Sequence, residues 1–192
     1  MNIPPTPAPD TNADPYAVVD RVAQWYFLGT GFLLADVWFP RAVVTEIGRR
    51  MASTDESVGT AAVDRLIASG WLRAAPNDRW LKLLPSDELR ALWERQPDAA
   101  RQQARQLVQN VLLQQAHELR QTTDDETLAL VLRQLVHLAR LAYAAKDPEV
   151  VAMLMAIGAG FERLGMDAEA RTAFRDATAA LHRQRAVHEK AP

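Results

Sequence analysis

The side chains of this sequence that could perform chemistry are few and scattered. Its four histidines, His117, His137, His182 and His188, stand apart, and no His-Glu-x-x-His segment sets two of them on one helical face as zinc requires. Cysteine is absent, which excludes thiolate metal sites, thiol nucleophiles and disulfides. Asp124-Asp125-Glu126 falls at an expected helix start, where free amides and the helix dipole favour negative charge without any catalytic duty. Paired carboxylates for acid–base work would also need a cleft and separated pKa values. Gly29-Thr30-Gly31 is too short, and too embedded in apolar residues, to cradle phosphate; close helix packing explains it better. No serine sits in a Gly-x-Ser-x-Gly turn. The chain is read as non-enzymatic, with no catalytic residue, cofactor or metal assigned.

The chain has 192 residues, 48% of them apolar and 24% charged, with a net charge of −2, as expected of a folded protein of ordinary composition. Residues 1–15 carry five prolines and no cation, so they read as a disordered leader rather than a secretory signal. The apolar run Trp25 to Phe39 is interrupted by Gly29, Gly31 and Asp36 and falls short of a membrane span. No membrane role is expected, and the cytoplasm is the expected location.

Helical spacing of Val18, Val22, Trp25, Tyr26, Phe32 and Leu33 predicts a first helix from Tyr16 to about Val37. Pro40 opens a second helix ending near Ala52, Ser53 to Ser57 forms a loop, and a third helix through Val63 and Leu66 stops at Gly70. Around Pro76-Asn77-Asp78 the period changes to that of strands, so residues 71–75 and 79–83 predict a β-hairpin. Ser86 can cap a short helix from Asp87 to Arg95. Beyond Pro97 the pattern is helical: one helix to about Gln121, a second capped by Thr123 or Asp124, a third from about Pro148 to Leu164, and a fourth from Asp167 to His182. The second is apolar around most of its circumference and should lie between neighbours; its His137 is expected to be a hydrogen-bonded structural histidine. The tryptophans fall in the first half and should be core, with Trp80 or Trp93 partly exposed as a contact anchor.

From Val151 to Gln184 the residues Leu154, Ile157-Gly158, Phe161, Gly165, Ala170, Phe174 and Ala177 resemble a tetratricopeptide repeat. Gly158 and Ala170 stand where the two helices of that unit cross, and Phe161 and Phe174 beside the crossing. His182 replaces the usual terminal proline. One repeat cannot bury its own face, so the hairpin-like pair from Arg101 to Ala145 must supply the packing surface. Residues 16–96 are similar in element order to a winged-helix domain, followed by the helical array 97–184 and a frayed tail 185–192. Together these look like the arm that follows the ATPase module in signal-transduction ATPases of the NB-ARC type, although no phosphate-binding Gly-x-x-x-x-Gly-Lys-Ser/Thr occurs here.

The resemblance implies a mainly α protein that binds a protein or peptide partner through the inner face of the first repeat helix. Here that face is expected to be Met155, Ala159, Glu162 and Arg163. The rival is a winged-helix DNA reader using Thr60, Arg65, Arg79 and Lys82. Charge disfavours it, because residues 1–100 hold 10 basic and 13 acidic side chains and would release few counterions from a duplex. A homodimer built on the incomplete repeat is the other alternative.

Overall fold

The computed structural model describes residues 21–52, 56–145 and 147–188. The expected leader, residues 16–20 of the expected first helix, the first three residues of the loop expected after the second helix, and residues 189–192 of the tail lie outside them. The fold is mainly helical with one small antiparallel sheet. In chain order the elements are α1 (Arg21–Thr30), β1 (Trp38–Pro40), α2 (Arg41–Ala52), α3 (Glu56–Ala68), β2 (Leu72–Ala74), β3 (Trp80–Leu83), α4 (Asp87–Glu94), α5 (Asp98–Leu119), α6 (Asp125–Ala144), α7 (Val150–Arg163) and α8 (Asp167–His188).

The anticipated hairpin is present, but a third strand joins it. The sheet order is β1-β3-β2, with Trp38 opposite Lys82 and Leu72 opposite Leu83. Side chains alternate across the sheet as its period demands. Phe39, Leu72, Leu81 and Leu83 enter the core, whereas Trp38 and Lys82 share the other face, ammonium 5.4 Å from the indole. Asp78 takes the left-handed conformation (φ 53°) in the hairpin turn. Asp36, also left-handed (φ 58°), bends the chain into β1.

The first helix ends at Thr30, not at Val37 as its apolar spacing suggested. The cause is tertiary: a Cβ on Gly31 would fall inside the Trp93 indole, which donates to the Leu28 carbonyl at 3.0 Å and meets the Phe32 ring edge-on at 4.8 Å. Arg90 covers that indole at 4.4 Å and donates to the Gly31 carbonyl at 2.8 Å. Trp93 is therefore buried, correcting its reading as an exposed anchor, while Trp80 is half-buried. Buried Thr30 donates to the Tyr26 carbonyl and accepts from the Trp71 indole, each at 2.8 Å, so the end of α1 is tied to the α3–β2 junction. Fully satisfied polar links of this kind hold a core in one arrangement.

One hydrophobic core runs through both halves of the chain, from Ala23 to Ala180. Helix α5 packs on α1 and α2 on one side and on α6 and α7 on the other. The Gln134 side chain of α6 accepts from the Leu34 amide at 2.6 Å, across the two halves.

The last two helices form the most extensive helix pair. Gly165 (φ 70°) turns the chain between them, and Ala170, Ala173, Ala177 and Ala180 of α8 are buried. A Cβ on Gly158 would stand 2.5 Å from Cε1 of Phe174, so glycine there admits the ring. Helix α8 continues to His188, past its expected end at His182. Its later part is held by Arg183, which lies 3.9 Å over the Tyr143 ring, and by Gln184, which donates to the Pro148 carbonyl at 3.0 Å.

Alanine favours helix over glycine by about 1 kcal/mol at an open site, so the sign of its effect reports the Phe174 contact. Gly158→Ala is expected to lower the unfolding free energy by about 1 kcal/mol in urea titrations, because overpacking outweighs propensity. In a Phe174→Leu background the same change should cost nothing; equal effects in both backgrounds would show that the ring does not set the spacing.

Candidate functional groove

Helix α6 begins where Asp124 accepts from the Thr127 amide at 3.1 Å and from its hydroxyl at 2.7 Å, which resolves the choice of cap. From there the helix buries Leu128, Leu132, Leu135 and Leu138 against its neighbours. Its remaining stripe, Val136, Ala139, Arg140 and Tyr143, follows i, i+3, i+4, i+7 spacing and looks into a groove of about 740 Å³. Leu154, Ile157 and Phe161 of α7 form the floor, and Ala168, Glu169, Thr172, Ala173 and Asp176 of α8 the far wall. Three helices thus direct stripes of helical period into one concavity. The walls are mostly apolar or small, with Arg140 at one rim and Glu169 and Asp176 at the other.

The four residues expected to meet a partner lie elsewhere. At 3.6 residues per turn, Met155 and Ala159 point about 120° or more around α7 from the groove-lining Phe161 and Ile157. Met155 is 50% exposed and Glu162 is exposed, while Ala159 and Arg163 are half-buried. Arg163 is already engaged: its guanidinium donates to the Thr122 carbonyl at 2.7 Å and pairs with Asp125 at 2.9 Å. It fastens α7 to the α5–α6 turn, a use that its position on a repeat template does not reveal.

The four residues of the DNA alternative are on the surface or near it. Thr60 and Arg65 are exposed on α3. Arg79 pairs with Asp124 at 2.8 Å and lies 5.2 Å over the Trp80 ring. Lys82 pairs with Asp36 at 3.1 Å. Arg41, behind the hairpin turn, binds Asp64 of α3 at 2.8 Å and also Asp78. Most of the positive charge on this side is therefore matched by carboxylates of the same chain.

No protein-family model, no curated protein and no solved structure matches the chain. The groove's own chemistry must carry the argument. Its lining offers no histidine or serine, and the nearest titrating imidazole, His137, is half-buried beside it on α6. Burial lowers the His137 pKa, and the positive charges of Arg90 and Arg140 lower it further, so its surroundings favour the neutral ring. Contrary to expectation, no hydrogen bond reaches it from the described residues. The groove can accept apolar side chains and complement charge at its edges. The sequence holds part of the signal, since α6 is apolar around most of its circumference, yet only the placement of α8 shows which side of it lines the groove.

The pair Arg79–Asp124 and the cap on Thr127 act through one carboxylate, which joins the hairpin to the start of α6. The Thr127 hydroxyl and amide, and then the Arg79 charge, hold Asp124 below its ordinary value of 3.8. A lowered folded-state pKa contributes stability that is complete above the unfolded value and fades as pH falls through the folded one. Asp124→Ala should cost about 1 kcal/mol at pH 7 by urea denaturation. The difference from wild type should shrink below the ordinary carboxylate pKa; an undiminished gap at pH 2 would remove the charge from the account.

Proposed function

We propose that this chain is a non-enzymatic protein-interaction module of the cytoplasm that holds a segment of a polypeptide partner in the α6–α7–α8 groove. The observation that carries this reading is the convergence of three helical stripes, largely apolar, on an unfilled concavity. Exposed Tyr143, at 42%, offers the type of amphipathic aromatic surface that anchors interfaces. The winged-helix-like order α1-β1-α2-α3-β2-β3, followed by a tetratricopeptide-like hairpin, supports a role similar to the regulatory arm of NB-ARC-type signalling ATPases. The groove, rather than Met155, Ala159, Glu162 and Arg163, is then the contact surface.

DNA reading draws less support, because Arg79, Lys82 and Arg41 are each held by a carboxylate of the chain and would have to leave it to meet phosphate. Self-association would use the same groove with a second copy as occupant. No helix among the described residues is long and apolar enough to cross a membrane.

A photo-crosslinking side chain at Thr172, in the groove, is expected to capture a polypeptide from native lysate that the same side chain at Met155 does not. Thr172→Arg, with the crosslinker moved to Tyr143, should abolish that capture. Equal capture from Thr172 and Met155 would discard the groove, and capture of the chain itself would identify the dimer. A gel shift with duplex DNA that weakens steeply between low and moderate salt would favour the winged-helix alternative instead.

A further inference from the structure

Resting on the reading just given, we infer that the occupant is one amphipathic α-helix of a partner polypeptide. Its apolar stripe sits on Leu154, Ile157 and Phe161, and its basic flank turns toward α8. The case for a helix is geometric. Groove residues recur with helical period on α6, on α7 and on α8, as they do along the seam of a bundle whose fourth member is missing. Two of the wall positions, Ala139 and Ala173, carry small side chains, the kind that let helices approach one another closely.

The case for its charge is electrostatic. Ion pairs elsewhere in the molecule join one element to another: Arg105 with Asp147 at 3.0 Å, Arg79 with Asp124, Lys82 with Asp36. Among the described residues no ion pair crosses the groove from one wall to the other. Glu169 and Arg140 form no ion pair with any described residue, and Asp176 has only the adjacent Arg175 at 3.7 Å. Glu169 and Asp176 are two turns apart on one edge of α8, about 10 Å along its axis. A bound helix with cations seven residues apart on that flank, and a carboxylate facing Arg140, completes all three. The reversed arrangement sets like charges together at both rims.

Two synthetic peptides of about 18 residues, long enough for five helical turns, test this. Both carry leucines at i, i+3, i+4, i+7 spacing. One has lysines seven apart on a single flank, and the other has glutamates in the same places. By fluorescence anisotropy at low salt the lysine peptide should bind about fivefold or more tightly than the glutamate peptide, with the preference shrinking as salt screens the rim. Glu169→Lys with Asp176→Lys should invert the order. Should that pair unfold by circular dichroism, Glu169→Gln with Asp176→Asn should level it. Binding of both peptides with equal affinity, blocked by Thr172→Arg, would overturn the basic flank and leave the groove reading standing. Binding that ignores Thr172→Arg, or no binding by either peptide, would overturn the helical occupant, while the crosslinking result decides the groove on its own.

Discussion

Two glycines two positions apart on α7 govern the second half of this molecule. A Cβ on Gly158 would press on the Phe174 ring of α8, and one on Gly160 would meet Leu132 of α6 at 2.5 Å. Because neither carries a side chain, both neighbours lie close against α7, and helix-on-helix packing is set by how near the axes can come. Close approach on two sides has a geometric consequence. Helices α6 and α8 stand as walls on either side of α7, and the side of α7 between them, at Leu154, Ile157 and Phe161, becomes a floor. The groove is thus a product of the same contacts that stabilise the array, and a change that loosens the pair also reshapes the surface.

The first half is coupled to this array by more than chain connectivity. Helix α5 belongs to both packing layers, Gln134 accepts from the Leu34 amide, and Arg79 of the hairpin reaches the carboxylate that caps α6. The Gln134 bond is largely buried and costly to break without a substitute. The Arg79–Asp124 pair is exposed and contributes little on its own account. Its interest lies in sharing a carboxylate with the helix cap, so that the position of the hairpin and the start of α6 depend on a single side chain.

Much of this was legible from residue order, for reasons that differ between elements. The α7–α8 hairpin announces itself through size: small residues at Gly158 and Ala170, a left-handed turn at Gly165, and an aromatic at Phe174. These are local requirements that a single chain segment states in full. Strand β1 is not legible, because three residues ending in Pro40 have no period to detect and pairing with β3 supplies their hydrogen bonds. The end of α1 was misread for a related reason. Apolar spacing continues to Leu33, but what ends the helix is the Trp93 indole arriving from α4. A repeat template that places a partner surface on Met155 and Arg163 does not contain the contacts of Arg163 with Thr122 and Asp125, which come from the α5–α6 turn. The groove itself needs stripes from three helices, and only their assembly brings the α6 stripe ending at Tyr143 beside those of α7 and α8.

Charge gives a way to separate structural from functional surface in such a molecule. Ion pairs within one chain fix geometry at modest gain, and side chains so engaged are poor candidates for contact with another molecule, since they must first be released. By that criterion the hairpin, with Arg41, Arg79 and Lys82 engaged, is a structural surface. The groove inverts the pattern. Its floor is apolar, yet the charges at its two edges are opposite in sign and stand across the opening from one another rather than together. Closing that gap internally would require α6 and α8 to approach, which the bulk of Leu154 and Phe161 between them prevents. The polarity of the rims is therefore maintained by the packing of the floor, with no ion pair among the described residues joining one edge to the other.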